Sequence, residues 1–213
     1  MKKILSFALA LLLLVLTFAG CSKETDALIG TWAGEVNYAS YFNEGLSSTA
    51  GADLAAYWKV DEFKLTIVMT FRKDGTYSMT VDREKLNASI EQLKQTLSTG
   101  LTHYMQDLID ASGMETTVEE LMNTLGISVD TLLADAINDE VINALIAECT
   151  FEGNFDAKDG KLYTSAGKEF SIDKSIYETY EVTENTLTLL SIVSGEETSR
   201  LDETLYPITL NRI

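Results

Sequence analysis

Histidine and proline are almost absent from this 213-residue chain, which has one of each, His103 and Pro207. Catalysis by a Ser–His or Cys–His pair needs a histidine base, and a zinc site built on imidazoles needs several histidines. His103 lies within a helical pattern, where a lone histidine is typical of a structural or exposed position. We therefore expect neither histidine-based catalysis nor a multi-histidine metal site.

Basic residues are also scarce, since 16 Lys and Arg stand against 33 Asp and Glu, giving a formal net charge of −17. Nucleic acids and anionic lipid surfaces are bound through basic patches, so we expect neither as a partner. So many carboxylates make any particular pair uninformative about glycoside hydrolysis. The sequence predicts no catalytic residue, no metal and no cofactor, and the charge indicates solubility at a crowded surface.

The one long apolar run begins after Lys2 and Lys3 and covers residues 4–18. About fifteen residues are too few to cross roughly 30 Å of hydrocarbon as a helix. Two small residues follow, and Cys21 comes next. This order of charged start, short apolar run and small residues predicts a signal peptide over residues 1–20.

The end of that segment, TFAGC at 17–21, resembles the lipobox of bacterial lipoproteins. The resemblance implies that Cys21 receives acyl chains such as palmitate and begins a lipid-anchored tether, residues 21–28. An uncleaved anchor and an ordinary signal peptide are the alternatives. Acyl chains would hold the protein on the cell membrane or outer membrane, outside the cytoplasm. Cys149 would then have no disulfide partner, and it is typical of a small buried hydrophobe.

Apolar residues alternate with polar ones at both ends of the chain and recur at helical spacing in the middle. The clearest alternation covers 63–72, and Asp74-Gly75 then predicts a hairpin turn into a strand ending at Val81. With further runs, the pattern predicts eight or nine antiparallel strands, enough to close a barrel. The other predicted strands are 30–38, 150–155, 161–163, 169–172, 176–183, 186–193 and 205–212.

Residues 83–148 show helical spacing and predict an insertion of three or four helices. The stretch Thr-Thr-Val-Glu-Glu at 116–120 offers a capping box before Val118, and Ser128 can cap a longer helix that runs through about Glu148. Residues 52–58 predict a short helical lid. Because Asp82 ends one strand and Cys149 begins the next, we expect that a short hairpin could replace the insertion. The fold class is therefore mainly β with an α insertion.

Gly30-Thr31-Trp32 on the first strand and Arg212 on the last resemble the lipocalin family, specifically lipocalin-like bacterial lipoproteins. The resemblance implies a meander barrel over residues 29–213, interrupted by the helical insertion 83–148. It also implies that Trp32, preceded by Gly30, closes one end of the barrel and is covered by Arg212.

Inward-facing positions define a hypothetical ligand site, although the same residues would serve equally well as a packed core. The first hypothesis is a tethered protein that binds a small apolar or amphipathic molecule. The second is an interaction module with a filled barrel that docks another envelope protein through the insertion. The third, a carboxylate-based hydrolase, has no supporting motif. The hypothetical lining residues are Trp58, Phe63, Ile67, Met69, Tyr77, Met79, Tyr180 and Leu187.

Overall fold

A computed structural model of the chain describes residues 24–50, 52–165, 167–193 and 204–213. The predicted signal peptide and its lipid-attachment residue, Cys21, lie outside the described residues.

Within the described residues the strands form a closed antiparallel barrel in which each strand pairs with its neighbours in sequence, and the last pairs with the first. Closure leaves no unpaired edge strand. The predicted eight- to nine-stranded meander interrupted by helices is confirmed, and it is compatible with a lipocalin-like fold. The strands are β1 Gly30–Asn37, β2 Lys64–Phe71, β3 Thr76–Val81, β4 Phe151–Lys158, β5 Lys161–Thr164, β6 Tyr177–Val182, β7 Thr186–Val193 and β8 Ile208–Arg212.

In the part of the chain that the structure describes, six named helices lie between the strands, four of them in the predicted insertion. They are α1 Ala39–Ala50, α2 Ala52–Tyr57, α3 Arg83–Ala111, α4 Val118–Leu125, α5 Val129–Ala136 and α6 Asp139–Glu148. The sequence pattern predicted α2, α3 and α4 but not α1. The single helix predicted from Ser128 through about Glu148 is wrong, because α5 ends at Ala136 and the Asn138 side chain caps a new helix, α6. The predicted strand at 169–172 is wrong, because these residues form turns in which the Phe170 N–H donates to the Gly167 carbonyl.

Side chains fix where several of these elements begin and end. The Asp82 carboxylate accepts hydrogen bonds from the first turn of α3, and Thr117 with Glu120 forms the predicted capping box of α4. Asp159 and Gly160 both have positive φ, which a two-residue hairpin between β4 and β5 requires. Helix-capping hydrogen bonds and turn conformation thus fix where α3 and α4 begin and where β4 turns into β5.

The chain divides into two compact units. We call the first the barrel unit; its described residues are 24–34, 68–79, 151–165, 167–193 and 204–213. Strands β1, β2 and β3 contribute residues to both units. Its buried core consists of Leu28, Trp32, Met69, Phe71, Tyr77, Phe155, Ala157, Leu162, Tyr180, Leu187, Leu189, Ile208 and Leu210.

The second is the helical unit; its described residues are 35–50, 52–67 and 80–150. One face of α3 packs with residues of α4, α5 and α6 into a single core cluster. Strand residues Phe63, Leu65 and Val81 belong to the same cluster. The α3 residues of this cluster are Leu86, Ile90, Leu93, Leu97 and Ile109.

Candidate functional site

The two residues of the lipocalin resemblance meet in the barrel unit. Trp32 and Arg212 are register partners in the β1–β8 pair. The Arg212 guanidinium lies 4.0 Å from the centre of the Trp32 ring, within the range of a cation–π interaction. Trp32 is fully buried, and its indole N–H donates to the Leu28 carbonyl at 2.7 Å.

Arg212 also binds three backbone carbonyl oxygens. Its Nη1 and Nη2 donate to Ile29 and Ala27 at 2.7 and 2.9 Å, and its Nε donates to Glu184 at 2.7 Å. Residues 24–28 form a helical turn, and Leu28 is completely buried. The described part of the predicted tether is therefore packed against the barrel unit instead of extended, because Arg212 and Trp32 bind its carbonyls.

Gly30 is required beside this arginine for two reasons. Its φ of +136° is a conformation that side-chain-bearing residues rarely adopt. A Cβ atom at this position would overlap the Arg212 guanidinium. The Gly-x-Trp motif thus supplies both the ring and the space for the cation above it.

Five of the hypothetical ligand-lining residues lie in the barrel unit, and four of them are buried there. Leu187 is 0% exposed, Tyr77 3%, Met69 5% and Tyr180 7%, whereas Met79 is half-buried. Side chains that line an open cup keep area accessible to water, whereas side chains covered by other protein atoms lose it. These exposures are therefore those of a packed core.

Aromatic rings account for part of this packing. The Phe71 ring lies 4.9 Å from Phe155 in an edge-to-face arrangement and 6.0 Å from Tyr77 in a stacked one. The Tyr77 hydroxyl donates to the Ser165 carbonyl at 3.2 Å, and burial raises its pKa. The ligand hypothesis omitted Phe71 and Phe155, although both have the strand alternation that marks inward positions.

The other three hypothetical lining residues belong to the helical unit. Trp58 and Phe63 pack with its core cluster, and the Phe63 ring lies 5.9 Å from the ring of Phe42. Ile67 is buried at the end of that unit's share of β2. The structure therefore distributes the hypothetical site over the cores of both units.

Glu178 on β6 is a buried acid that sequence reasoning missed. Its register partner Leu162 is 1% exposed, and the Tyr206 hydroxyl donates to its Oε1 at 2.6 Å. Although the residue as a whole is partly exposed, burial of the carboxyl group raises its pKa, and the hydrogen bond from Tyr206 only partly opposes this. Glu178 alternates with Tyr180 along β6, which could have marked it as inward-facing. Because the chain has 33 acids, this one did not stand out in the sequence.

The surface chemistry of the helical unit differs from that of the barrel unit. Eighteen acidic and five basic residues give the helical unit a formal charge of −13, whereas the remaining residues carry −4. No Lys or Arg occurs in residues 95–157. That acid-only stretch also exposes six large apolar side chains, Leu108, Met114, Leu125, Ile127, Leu132 and Val141, each at least 40% accessible.

The remaining candidates for chemistry are isolated. Cys149 is half-buried, and burial together with the nearby Glu148 carboxylate raises its pKa, which favours the thiol over the nucleophilic thiolate. His103 is exposed on α3. Among the described residues, no three His, Cys, Asp or Glu side chains are grouped so that they could hold a metal ion.

In that same part of the chain, none of the helices has the length and hydropathy needed to cross a membrane.

Comparison with known proteins identifies no relative. No protein-family model matches the sequence, and neither a curated protein nor a solved structure is significantly similar to it.

Proposed function

We propose that this protein is a non-catalytic, lipid-anchored lipoprotein of the cell envelope whose helical unit binds another envelope protein. The observation that carries the proposal is the separation of charge: −13 of the total −17 lies in the helical unit, and its acid-only stretch also exposes apolar side chains. Complementary charge steers and selects protein partners. A basic protein surface is the complement of this one.

The position outside the cytoplasm is proposed from the sequence. Signal peptide features precede Cys21, and the segment resembles a lipobox. The barrel is compatible with the lipocalin-like fold that the Gly30, Trp32 and Arg212 motif suggested. The near-complete burial of Tyr77 and Leu187 favours a barrel that serves as a scaffold over one that serves as a cup.

Binding of a small amphipathic molecule is the second candidate function, and Glu178 is the observation that favours it. A carboxyl group paired with a tyrosine hydroxyl among apolar side chains is typical of the few polar groups in a ligand pocket. Native mass spectrometry of protein purified from its own host tests this candidate. A retained molecule lost from Glu178→Gln would favour it over protein binding.

Photo-cross-linking in the native host tests the first candidate. A photoreactive amino acid at Leu132 or Val141 on the helical unit should give a discrete adduct with one envelope protein, because both side chains are exposed. The matched control position is Leu190, which is equally exposed but lies on β7 of the barrel unit. Cys21→Ser should abolish both membrane attachment and the adduct. The same adduct from Leu190, or none from the helices, would exclude binding through the helical unit.

A further inference from the structure

A groove runs along α3 of the helical unit, between that helix and α5 with α6. It consists of two adjoining depressions of about 440 and 350 Å³, both lined by Glu91, Lys94 and Ala134. Ile90 and Ile142 lie at its base, and both are buried in the core cluster. The groove is therefore a surface depression over a packed floor.

The walls of the groove carry mainly acids and amides. Asn87 and Asp139 line one end, and Asp130 and Gln95 line the other. Lys94 is the only basic residue of the groove, and its Nζ lies 3.2 Å from the Glu91 carboxylate. Since that carboxylate is largely exposed, it can still accept a second cation.

The length of the groove matches one face of a helix. From Asn87 to Gln95, α3 rises about 12 Å, and residues i to i+7 of a partner helix would span about 10.5 Å. Apolar side chains at i, i+3, i+4 and i+7 form one such face. The charged residues flanking that face would meet Glu91, Asp130 and Asp139.

We propose that this groove binds a Lys- and Arg-rich amphipathic helix of the partner protein. The inference rests on the proposed function and names both the docking site and the partner's chemistry. The partner's apolar side chains pack over Ala134 and Leu133, and its cations pair with Glu91 and the two terminal aspartates. Lys94 opposes such a partner, because it neutralises the central acid.

A designed peptide of about 18 residues, with Leu at helical spacing and Lys elsewhere, is the probe, and the same peptide with Glu for Lys is its control. Fluorescence anisotropy measures its binding to residues 22–213, which include every described residue. Ala134→Trp fills the groove and should weaken binding about tenfold. Ala136→Trp, an exposed position on the same helix outside the groove, should leave binding unchanged.

Two charge variants should change the affinity for the Lys peptide in opposite directions. Glu91→Gln should weaken binding, whereas Lys94→Met, which keeps the side-chain stem, should strengthen it. Equal affinities of Ala134→Trp and Ala136→Trp, or no difference between the Lys and Glu peptides, would overturn the groove assignment. Cross-links from Leu132 that persist in that case would leave the proposed function standing. Their absence would refute the function itself.

Discussion

At the scale of single residues, the contact between Trp32 and Arg212 holds together the ends of the described chain. We expect Trp32→Ala to destabilise the protein by about 3 to 5 kcal/mol, because it empties a fully buried site. Arg212→Ala should cost about 1 to 3 kcal/mol through three lost carbonyl bonds and the lost ring contact. Chemical denaturation of the single and double variants of residues 22–213 measures their coupling.

The double variant should be less destabilised than the sum of the two single losses, because residues in contact are not additive. Arg212→Lys is the matched control: it keeps the charge, but an ammonium group cannot reproduce the planar fork that reaches three carbonyls. Strict additivity would show that the ring and the guanidinium contribute independently.

Glu178 should make stability depend on pH in the direction opposite to most carboxylates. Its folded pKa is raised by burial, so its stabilising contribution is fully present below the ordinary carboxyl pKa and is lost as pH rises through the folded value. Glu178→Gln stays neutral and keeps an acceptor for Tyr206. We therefore expect the Gln variant to be more stable than the native protein near pH 7, with the difference shrinking towards pH 4.

Glu181→Gln, an exposed position on the same strand, is the control for the loss of one negative charge. Thermal unfolding of both variants across this pH range gives the comparison. An equal gain from Glu181→Gln would assign the effect to net charge instead of burial.

At the scale of elements, the long helix α3 depends on Gly100. A Cβ atom there would overlap the Tyr57 carbonyl oxygen, so Gly100→Ala should destabilise the protein by more than about 1 kcal/mol despite the better helix propensity. Gly45 is the matched control within α1, because a Cβ atom there meets nothing within 4 Å. Gly45→Ala should stabilise the protein by about 0.5 to 1 kcal/mol. Equal effects in denaturation experiments would contradict the close approach at Gly100.

Local patterns predicted most elements, and the exceptions have both tertiary and local causes. Helix α1 contains Gly45 and several serines, which are weak helix formers, so no periodicity marked it. Contacts distant in sequence hold it instead: the Asn43 amide donates to the Val60 carbonyl, and its oxygen accepts the Val60 N–H. The strand pattern also suggested a strand at 169–172, but local turn hydrogen bonds prevailed there.

The candidate site was predictable only where a short motif carries it. Gly30 and Trp32 form such a motif, and the structure places Arg212 over the ring. The groove along α3 joins residues about 40 to 50 positions apart, such as Glu91 and Asp139, and no single-sequence pattern reports such proximity. Glu178 has the same strand parity as Tyr180, but among the 33 acids of the chain no sequence pattern singles out one inward carboxylate.

At the scale of the whole molecule, the insertion shares a core cluster with residues of the strands that flank it. The sequence suggested that a short hairpin could replace residues 83–148. In the structure, however, Phe63, Leu65 and Val81 lie in one core cluster with the residues of α3 to α6. The helices therefore bury part of the strand sequence, and their removal leaves apolar side chains uncovered.

We expect the variant in which a Gly-rich hairpin replaces residues 83–148 to lose cooperative unfolding and to bind a hydrophobic dye, because Leu65 and Val81 become exposed. Leu65→Thr with Val81→Thr in the same deletion is the matched rescue: threonine keeps the strand preference while tolerating water. Circular dichroism melts of the two variants measure whether unfolding is cooperative, and dye fluorescence measures whether apolar surface is exposed. A cooperative β-type transition in the deletion variant without the threonines would show that the barrel folds without the helices, and that the shared core cluster contributes little to its stability.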